Sequence, residues 1–318
     1  MNTPIKIRPN RFTSLFKTAF EKAAAHGEVI PPSAMSKDEL ADYRRRQMEL
    51  HPSSLPYCGL RDAWSILLDE GRPVNMGSYY YMNAGHAFHE AVQFAMGRTA
   101  KMHGNWRCNK CDAKVLFSTL PKKACKCGGY WNYEELGGLL KREGWAPISW
   151  HSDGLFEING EFWVIDYKTT GSNLLMKHRK SGDVFPYPVN REQIRAYCVL
   201  ISKRYKVKVS GFALIYIARD NPTYSSNVEV CAERIETGDL QDWADRIEKA
   251  AKEKAIANTV RKQPMKVFAQ LQPVRLCPNR QFYEDNVQTP WSECPLADFC
   301  QNKKKLLATL SEELEGMK

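Results

Sequence analysis

An Asn-Gly pair at positions 159 and 160 stands between "DGLFEI" and "EFWVIDYKTT", two runs in which apolar and polar residues alternate. That arrangement is the strongest local signal for a two-residue β-hairpin, because Asn and Gly tolerate the positive φ angles that such a turn demands. The turn fixes the register: Ile158 lies opposite Glu161, and counting outward brings Asp153 opposite Asp166. Carboxylates facing each other on neighbouring strands are about 4.5–5.5 Å apart at their Cβ atoms and repel. A positive charge is expected between them. Lys168, two residues beyond Asp166 and therefore on its face of the strand, is one source. A divalent cation held by both acids is another. A third reading is a solvated hairpin end in which Lys168 merely screens two acids.

Ten cysteines in 318 residues are the next constraint. Eight fall into two separate groupings, and the tightest is Cys108-x2-Cys111, thirteen residues, then Cys125-x-Cys127. Two close pairs at that separation suit a tetrahedral thiolate zinc site in a small ribbon. Cys58 stands alone near the front, Cys277, Cys294 and Cys300 fall near the end, and Cys198 and Cys231 lie in apolar segments as core residues. Grouped cysteines without a signal-peptide-like leader read as metal ligands in a reducing compartment rather than as disulfides. No run of about 18 apolar residues suggests a membrane span, so a cytosolic protein is expected, in a bacterium or a virus-infected host.

Lys and Arg outnumber Asp and Glu by 46 to 36, a net charge of +10. Clusters at Arg44-Arg45-Arg46, Lys177-His178-Arg179-Lys180 and Lys303-Lys304-Lys305 concentrate the excess, which favours a polyanionic partner; solvated helix faces are the alternative. A P-loop ATPase is excluded, since no G-x-x-x-x-G-K-[ST] run occurs.

Along the chain, Ser36 to Glu39 reads as a capping box opening a helix to about Leu50. Further helices are expected after Cys58, over "NAGHAFHEAVQFAMG", from Asn190 through "REQIRAYCVLISKRY", and from about Leu240 to Thr259. "KVSGFALIYIA" and "NVEVCAERI" read as strands, the first apolar enough for the middle of a sheet. On the Asn190 helix, Gln193 and Tyr197 are one turn apart and share a face. On the earlier helix, Gly85 precedes His89, which competes with His86 for a functional role.

The order Gly85-x-x-x-His89, Asp153, Asp166-x-Lys168, Gln193-x-x-x-Tyr197 resembles the PD-(D/E)XK nuclease superfamily, in particular its RecB-like exonuclease branch. The resemblance covers roughly residues 83 to 200. It implies an α/β restriction-endonuclease-like core with a central mixed sheet flanked by helices. It also implies Mg or Mn bound by His89, Asp153, Asp166 and the backbone carbonyl of Tyr167, with Lys168 orienting the water or neutralising charge and Gln193 and Tyr197 positioning the strand. "ECPLADFC" resembles the closing pair of the 4Fe–4S cluster in AddB-type and CRISPR-associated RecB-like exonucleases, where one upstream cysteine joins three at the C-terminus. Here those ligands would be Cys58, Cys277, Cys294 and Cys300, with sixteen residues between Cys277 and Cys294 where that family has C-x2-C; a zinc site is the second reading.

The domain organisation expected is an N-terminal arm and helix over 1–57, a nuclease core over 58–270 interrupted by a zinc-ribbon-like insert at 105–131, and an iron-sulfur clasp with a C-terminal helix over 271–318. The function expected is a metal-dependent DNA exonuclease acting on single-stranded ends in recombination, repair or replication. Tyr79, Tyr80 and Tyr81 are candidates for stacking on bases, and a helicase or recombination protein is an expected partner. A structure-specific endonuclease and a DNA-binding adaptor with an inactive nuclease fold are the alternatives.

Overall fold

A computed structural model describes residues 28–271, apart from 31, 56, 69–71, 75, 100, 183 and 221–227; for 28–30, 64, 68, 72–74, 76–84 and 99 it describes the backbone alone. Cys277, Cys294, Cys300, Lys303, Lys304 and Lys305, and the side chains of Tyr79, Tyr80 and Tyr81, lie outside the described residues.

The centre is a seven-stranded mixed sheet. Its interior pair is the expected hairpin, β8 (Gly154–Ile158) and β9 (Glu161–Thr170), paired from Ile158 opposite Glu161 to Gly154 opposite Ile165. The turn has φ of 53° at Asn159 and 82° at Gly160, as an Asn-Gly hairpin requires. On one side β9 runs parallel to β10 (Val209–Ala218), which pairs antiparallel with β11 (Val228–Arg234). On the other side β8 pairs with β3 (Met102–Cys108), which also pairs with β4 (Lys114–Ser118) and β5 (Trp131–Glu134). The cysteine-bearing segment is therefore not hung on a flexible stem: β3 belongs at one end to the central sheet and at the other carries Cys108. A second pair, β6 (Leu136–Leu140) and β7 (Ile148–Ser152), leads the chain into Asp153; a short pair, β1 (Glu28–Ile30) and β2 (Arg72–Val74), stands apart.

Helices cover both faces. β9 and β10 are joined through α4 (Ser172–Ser181) and α5 (Pro188–Tyr205), the crossover that a parallel pair demands. Pro188 starts α5, where a missing N–H costs nothing. Helix α5 buries Ile194, Ala196, Tyr197, Val199, Leu200 and Ile201 in the main core with Val164, Phe212, Leu214 and Tyr216 from the sheet. Helix α6 (Asp239–Ala257) adds Trp243, Ala244, Ile247, Ala250 and Ala251, residues three or four apart that form one apolar face. The opposite face of the sheet, with Met102, Phe156, Ile165, Tyr167 and Ala213, takes Phe88, Val92 and Met96 from α3 (Met76–Thr99). Covered on both sides, β10 carries apolar residues on both faces, which is why its sequence reads as a continuous run.

Three further helices complete the described chain. The capping box forms on α1 (Lys37–Met48): Ser36 Oγ accepts from Glu39 N at 3.3 Å and Glu39 Oε2 accepts from Ser36 N at 2.9 Å. Helix α2 (Gly59–Leu68) and α7 (Pro264–Gln270) share a core of Leu60, Ala63, Ile66, Val267, Phe268 and Leu271 with the end of α6. Among the described residues no helix is long and apolar enough to cross a membrane.

Candidate active site and cysteine cluster

Asp153 is the first residue before β8, and Asp166 lies on the adjoining strand β9; they are 7% and 2% exposed. Two buried carboxylates side by side need compensation. The protein supplies part of it. Tyr167 N donates to Asp153 Oδ2 at 2.7 Å, and His89 Nδ1 lies 3.5 Å from the same oxygen. Lys168 Nζ is 2.7 Å from Asp166 Oδ2 and donates to Gln193 Oε1 at 3.0 Å. Gln193 Nε2 in turn donates to Tyr197 Oη at 2.8 Å. Lys168 thus balances Asp166 as expected, while Asp153 has the backbone and His89.

The compensation is incomplete. Lys168 is the ion-pair partner of the buried Asp166 Oδ2, and no further donor reaches that oxygen among the described residues. Burial pushes the Asp166 carboxyl up to about 6, against the opposing pull of Lys168 and with the Asp153 charge adding to the rise. Burial alone lowers His89, but the adjoining Asp153 carboxylate outweighs it, and the imidazole is held above its usual range. A hard divalent cation takes oxygen ligands and suits this surplus of buried negative charge. The donor set therefore fits Mg or Mn.

Of the two histidines on α3, His89 faces the carboxylates and is half-buried, while His86 is exposed. Its ring stands edge-on to that of Tyr167, with centroids 6.2 Å apart. His89, Asp153, Asp166, Tyr167, Lys168, Gln193 and Tyr197 are thus brought together from α3, β8, β9 and α5.

Three further residues meet this group, two of which, Tyr133 and Glu135, the sequence does not single out. Tyr133 Oη donates to the Asp153 carbonyl at 3.1 Å. Gln93 Nε2 donates to the same carbonyl at 3.3 Å and to Glu135 Oε1 at 2.8 Å. Gln93 lies one helical turn beyond His89, a spacing visible in the sequence, but nothing local marks Tyr133 or Glu135.

The four closely spaced cysteines converge as their spacing predicts. Cys108, Cys111, Cys125 and Cys127 place their sulfurs within 4.8 Å of one another, with Cys108 and Cys127 3.4 Å apart and Cys111 and Cys125 3.5 Å apart. Zinc–sulfur bonds of ~2.3 Å at tetrahedral angles place sulfurs roughly 3.8 Å apart, within that range. Lys110 N donates to Cys108 Sγ at 3.4 Å and is the leading cause that lowers its thiol to about 6. A side chain at Gly129 is excluded, since a Cβ there would sit 2.5 Å from Cys108 Sγ. The donor set and its spacing fit a metal ion.

At the other end of the molecule, Cys58 packs against the core shared by α2 and α7. Its neighbour Gly59 lies so close to Leu271 that an added Cβ would be 2.8 Å from Leu271 Cδ2. Beside it, buried Lys254 pairs with Asp62 at 2.5 Å, and Asp62 accepts from Tyr57 Oη at 2.9 Å.

The basic clusters are partly neutralised from within. Arg45 pairs with Asp42 and Glu49, and Arg46 with Asp42. Arg179 pairs with Glu229, while His178 Nδ1 accepts from Phe185 N at 3.0 Å.

No protein-family model matches the chain, and no curated protein matches it. Among solved structures it is similar to an alkaline exonuclease (LHK-Exo) from Laribacter hongkongensis, with a TM-score of 0.41 and 11% identity over 71% of this chain and 97% of that one. LHK-Exo in complex with dAMP gives a TM-score of 0.41 and 10% identity, covering 71% and 99% of the two chains. SSO0001 gives 0.32 and 13%, covering 76% and 88%.

Proposed function

We propose that the protein is a divalent-metal-dependent nuclease that hydrolyses DNA phosphodiester bonds from free, single-stranded ends. The observation that carries this reading is the pair of buried carboxylates, Asp153 and Asp166, flanked by His89 and Lys168 and with no donor other than Lys168 at Oδ2 of Asp166. His89, Asp153, Asp166 and the carbonyl of Tyr167 would hold Mg or Mn. Such an ion supplies an activated water and relief of the charge that builds on the phosphate. Lys168, aligned by Gln193, offers its ammonium to the developing negative charge. Gln193 and Tyr197 fix that lysine from the buried face of α5 and position the scissile strand.

The same reading assigns zinc to Cys108, Cys111, Cys125 and Cys127, and a 4Fe–4S cluster to Cys58 with Cys277, Cys294 and Cys300. The contact of Gly59 with Leu271 supports the second assignment, because it brings the chain past Cys58 six residues before Cys277. The net charge of +10 supports a polyanionic substrate whose binding weakens with salt. A cytosolic role in recombination, repair or replication beside a helicase completes the proposal.

The test is cleavage of 5′- and 3′-end-labelled single-stranded DNA, and of a circular control, by anaerobically purified protein with Mn. Degradation of linear DNA alone by the wild type, lost in Asp166→Ala and reduced about 10²–10³-fold in Lys168→Met, is the expected result. Cutting of the circle would favour a structure-specific endonuclease. Cleavage of neither would leave a DNA-binding adaptor.

A further inference from the structure

The cysteine cluster and the carboxylate pair are joined by one short strand. β5 starts at Trp131, four residues after Cys127 and opposite Cys108 in the ladder with β3. Two residues on, about 7 Å at strand rise, Tyr133 donates its hydroxyl to the carbonyl of Asp153. Glu135, two residues further and just past the end of β5, holds Gln93, whose amide reaches that same carbonyl.

Packing holds the Tyr133 ring and a hydrogen bond holds the backbone at Glu135. The Tyr133 ring lies over Gly104 on β3, where an added Cβ would fall 2.0 Å from Cε2, and stands edge-on to Trp106 with centroids 5.4 Å apart. The Glu135 carbonyl accepts from Asn105 Nδ2 at 3.2 Å, and Asn105 Oδ1 accepts from Phe117 N at 3.2 Å, so β3, β4 and the end of β5 are tied together at this point. Burial raises the Tyr133 phenol, which keeps it a neutral donor. β5 thus begins beside Cys108 in the ladder and ends at the groups that hold the Asp153 carbonyl, a contiguous physical link between the two sites.

We propose that the four-cysteine site is a positioning device for the carboxylate centre: a zinc-class ion drawn between its thiolates fixes β5, and through Tyr133 and Glu135 fixes Asp153 and Gln93. Tyr133 and Glu135 are positioning residues in this scheme. The consequence for catalysis rests on the nuclease reading; the mechanical coupling does not.

Two measurements test it. The first is Mn binding, followed by the EPR signal of free Mn, in wild type, Tyr133→Phe, Cys127→Ser and the double variant. Losing one neutral hydrogen bond corresponds to about a three- to tenfold weakening. Tyr133→Phe is expected to weaken Mn binding by that factor, Cys127→Ser by at least as much, and the double variant no further than Cys127→Ser alone, with the KM for DNA unmoved. Additive losses, or wild-type Mn binding by a Cys127→Ser protein that has lost its zinc, would overturn the proposal.

The second is hydrogen exchange at the Tyr167 amide, the donor to Asp153, without Mn. Faster exchange there in Tyr133→Phe and in zinc-depleted wild type, with α6 unchanged, supports the coupling even if Cys127→Ser does not fold. Unchanged Tyr167 exchange overturns it. Coupled exchange in a wild type that binds no Mn would instead sink the nuclease reading alone.

Discussion

The backbone N–H of Tyr167 donates to Asp153 Oδ2 at 2.7 Å, just beyond the last paired residues of the hairpin. One oxygen of a candidate metal ligand is therefore also the clamp that closes the open end of β8 and β9. Asn in place of Asp keeps an oxygen for that N–H, whereas Ala leaves a buried donor unmet, at a cost of about 1–3 kcal/mol. Both variants remove the charge that repels Asp166, so that contribution cancels between them. In EDTA, urea unfolding should show Asp153→Ala less stable than Asp153→Asn by about 1–3 kcal/mol. Equal stabilities would mean that the clamp contributes nothing.

Asp166 makes a prediction of the opposite sign. Its carboxyl is raised to about 6 in the folded protein, chiefly by burial, from a reference of 3.8. Between those values the folded state holds a proton that the unfolded state has released. Stability of the metal-free protein should therefore fall as pH rises from about 4 to 6, by roughly 1–3 kcal/mol at 1.36 kcal/mol per pH unit. Asp166→Asn removes the titration. Above pH 6 in EDTA the variant should be more stable than wild type, with the gap closing towards pH 4; a gap independent of pH would refute the assignment. Added Mn should reverse the order, because Asn keeps a carbonyl oxygen but not the carboxylate charge that binds the cation.

How far these features could be read from the sequence depends on the distance over which each is specified. The Asn159-Gly160 turn, its register and the Ser36–Glu39 capping box are set by neighbours a few residues apart, and their chemistry is visible in the string. The cysteine cluster was legible because thiolates in close pairs have few other uses. The choice of His89 over His86 needed the helix to be placed on the sheet before its inward face was known. Glu135 and Tyr133 were not legible at all: they reach Gln93 and Asp153 across 42 and 20 residues, contacts created by β3 joining the ribbon to the central sheet. The arginine cluster at 44–46 misleads in the other direction, since Asp42 and Glu49 on the same stretch neutralise part of it.

The four-cysteine cluster itself depends on a position with no ligand. Gly129 follows the second cysteine pair, and a Cβ there would lie 2.5 Å from Cys108 Sγ, 2.8 Å from Asn109 Oδ1 and 3.2 Å from Lys110 Cβ. The sulfur is held by the tight turn in which Lys110 N donates to it, and Tyr130 N is tied to Asn109 Oδ1 at 2.9 Å, so neither side yields without losing a bond. Disturbing the groups that orient a ligand typically costs 10–100-fold in metal affinity. Gly129→Ala should therefore bind zinc 10–100-fold more weakly in a competition titration with a chromophoric chelator. Strands β8 to β11, which carry most of the sheet's buried core, contain neither this turn nor its cysteines, so thermal unfolding at saturating zinc, with the site filled, should stay close to that of the wild type. A Gly129→Ala protein with unchanged zinc affinity would mean that the thiolates have freedom the packing does not suggest.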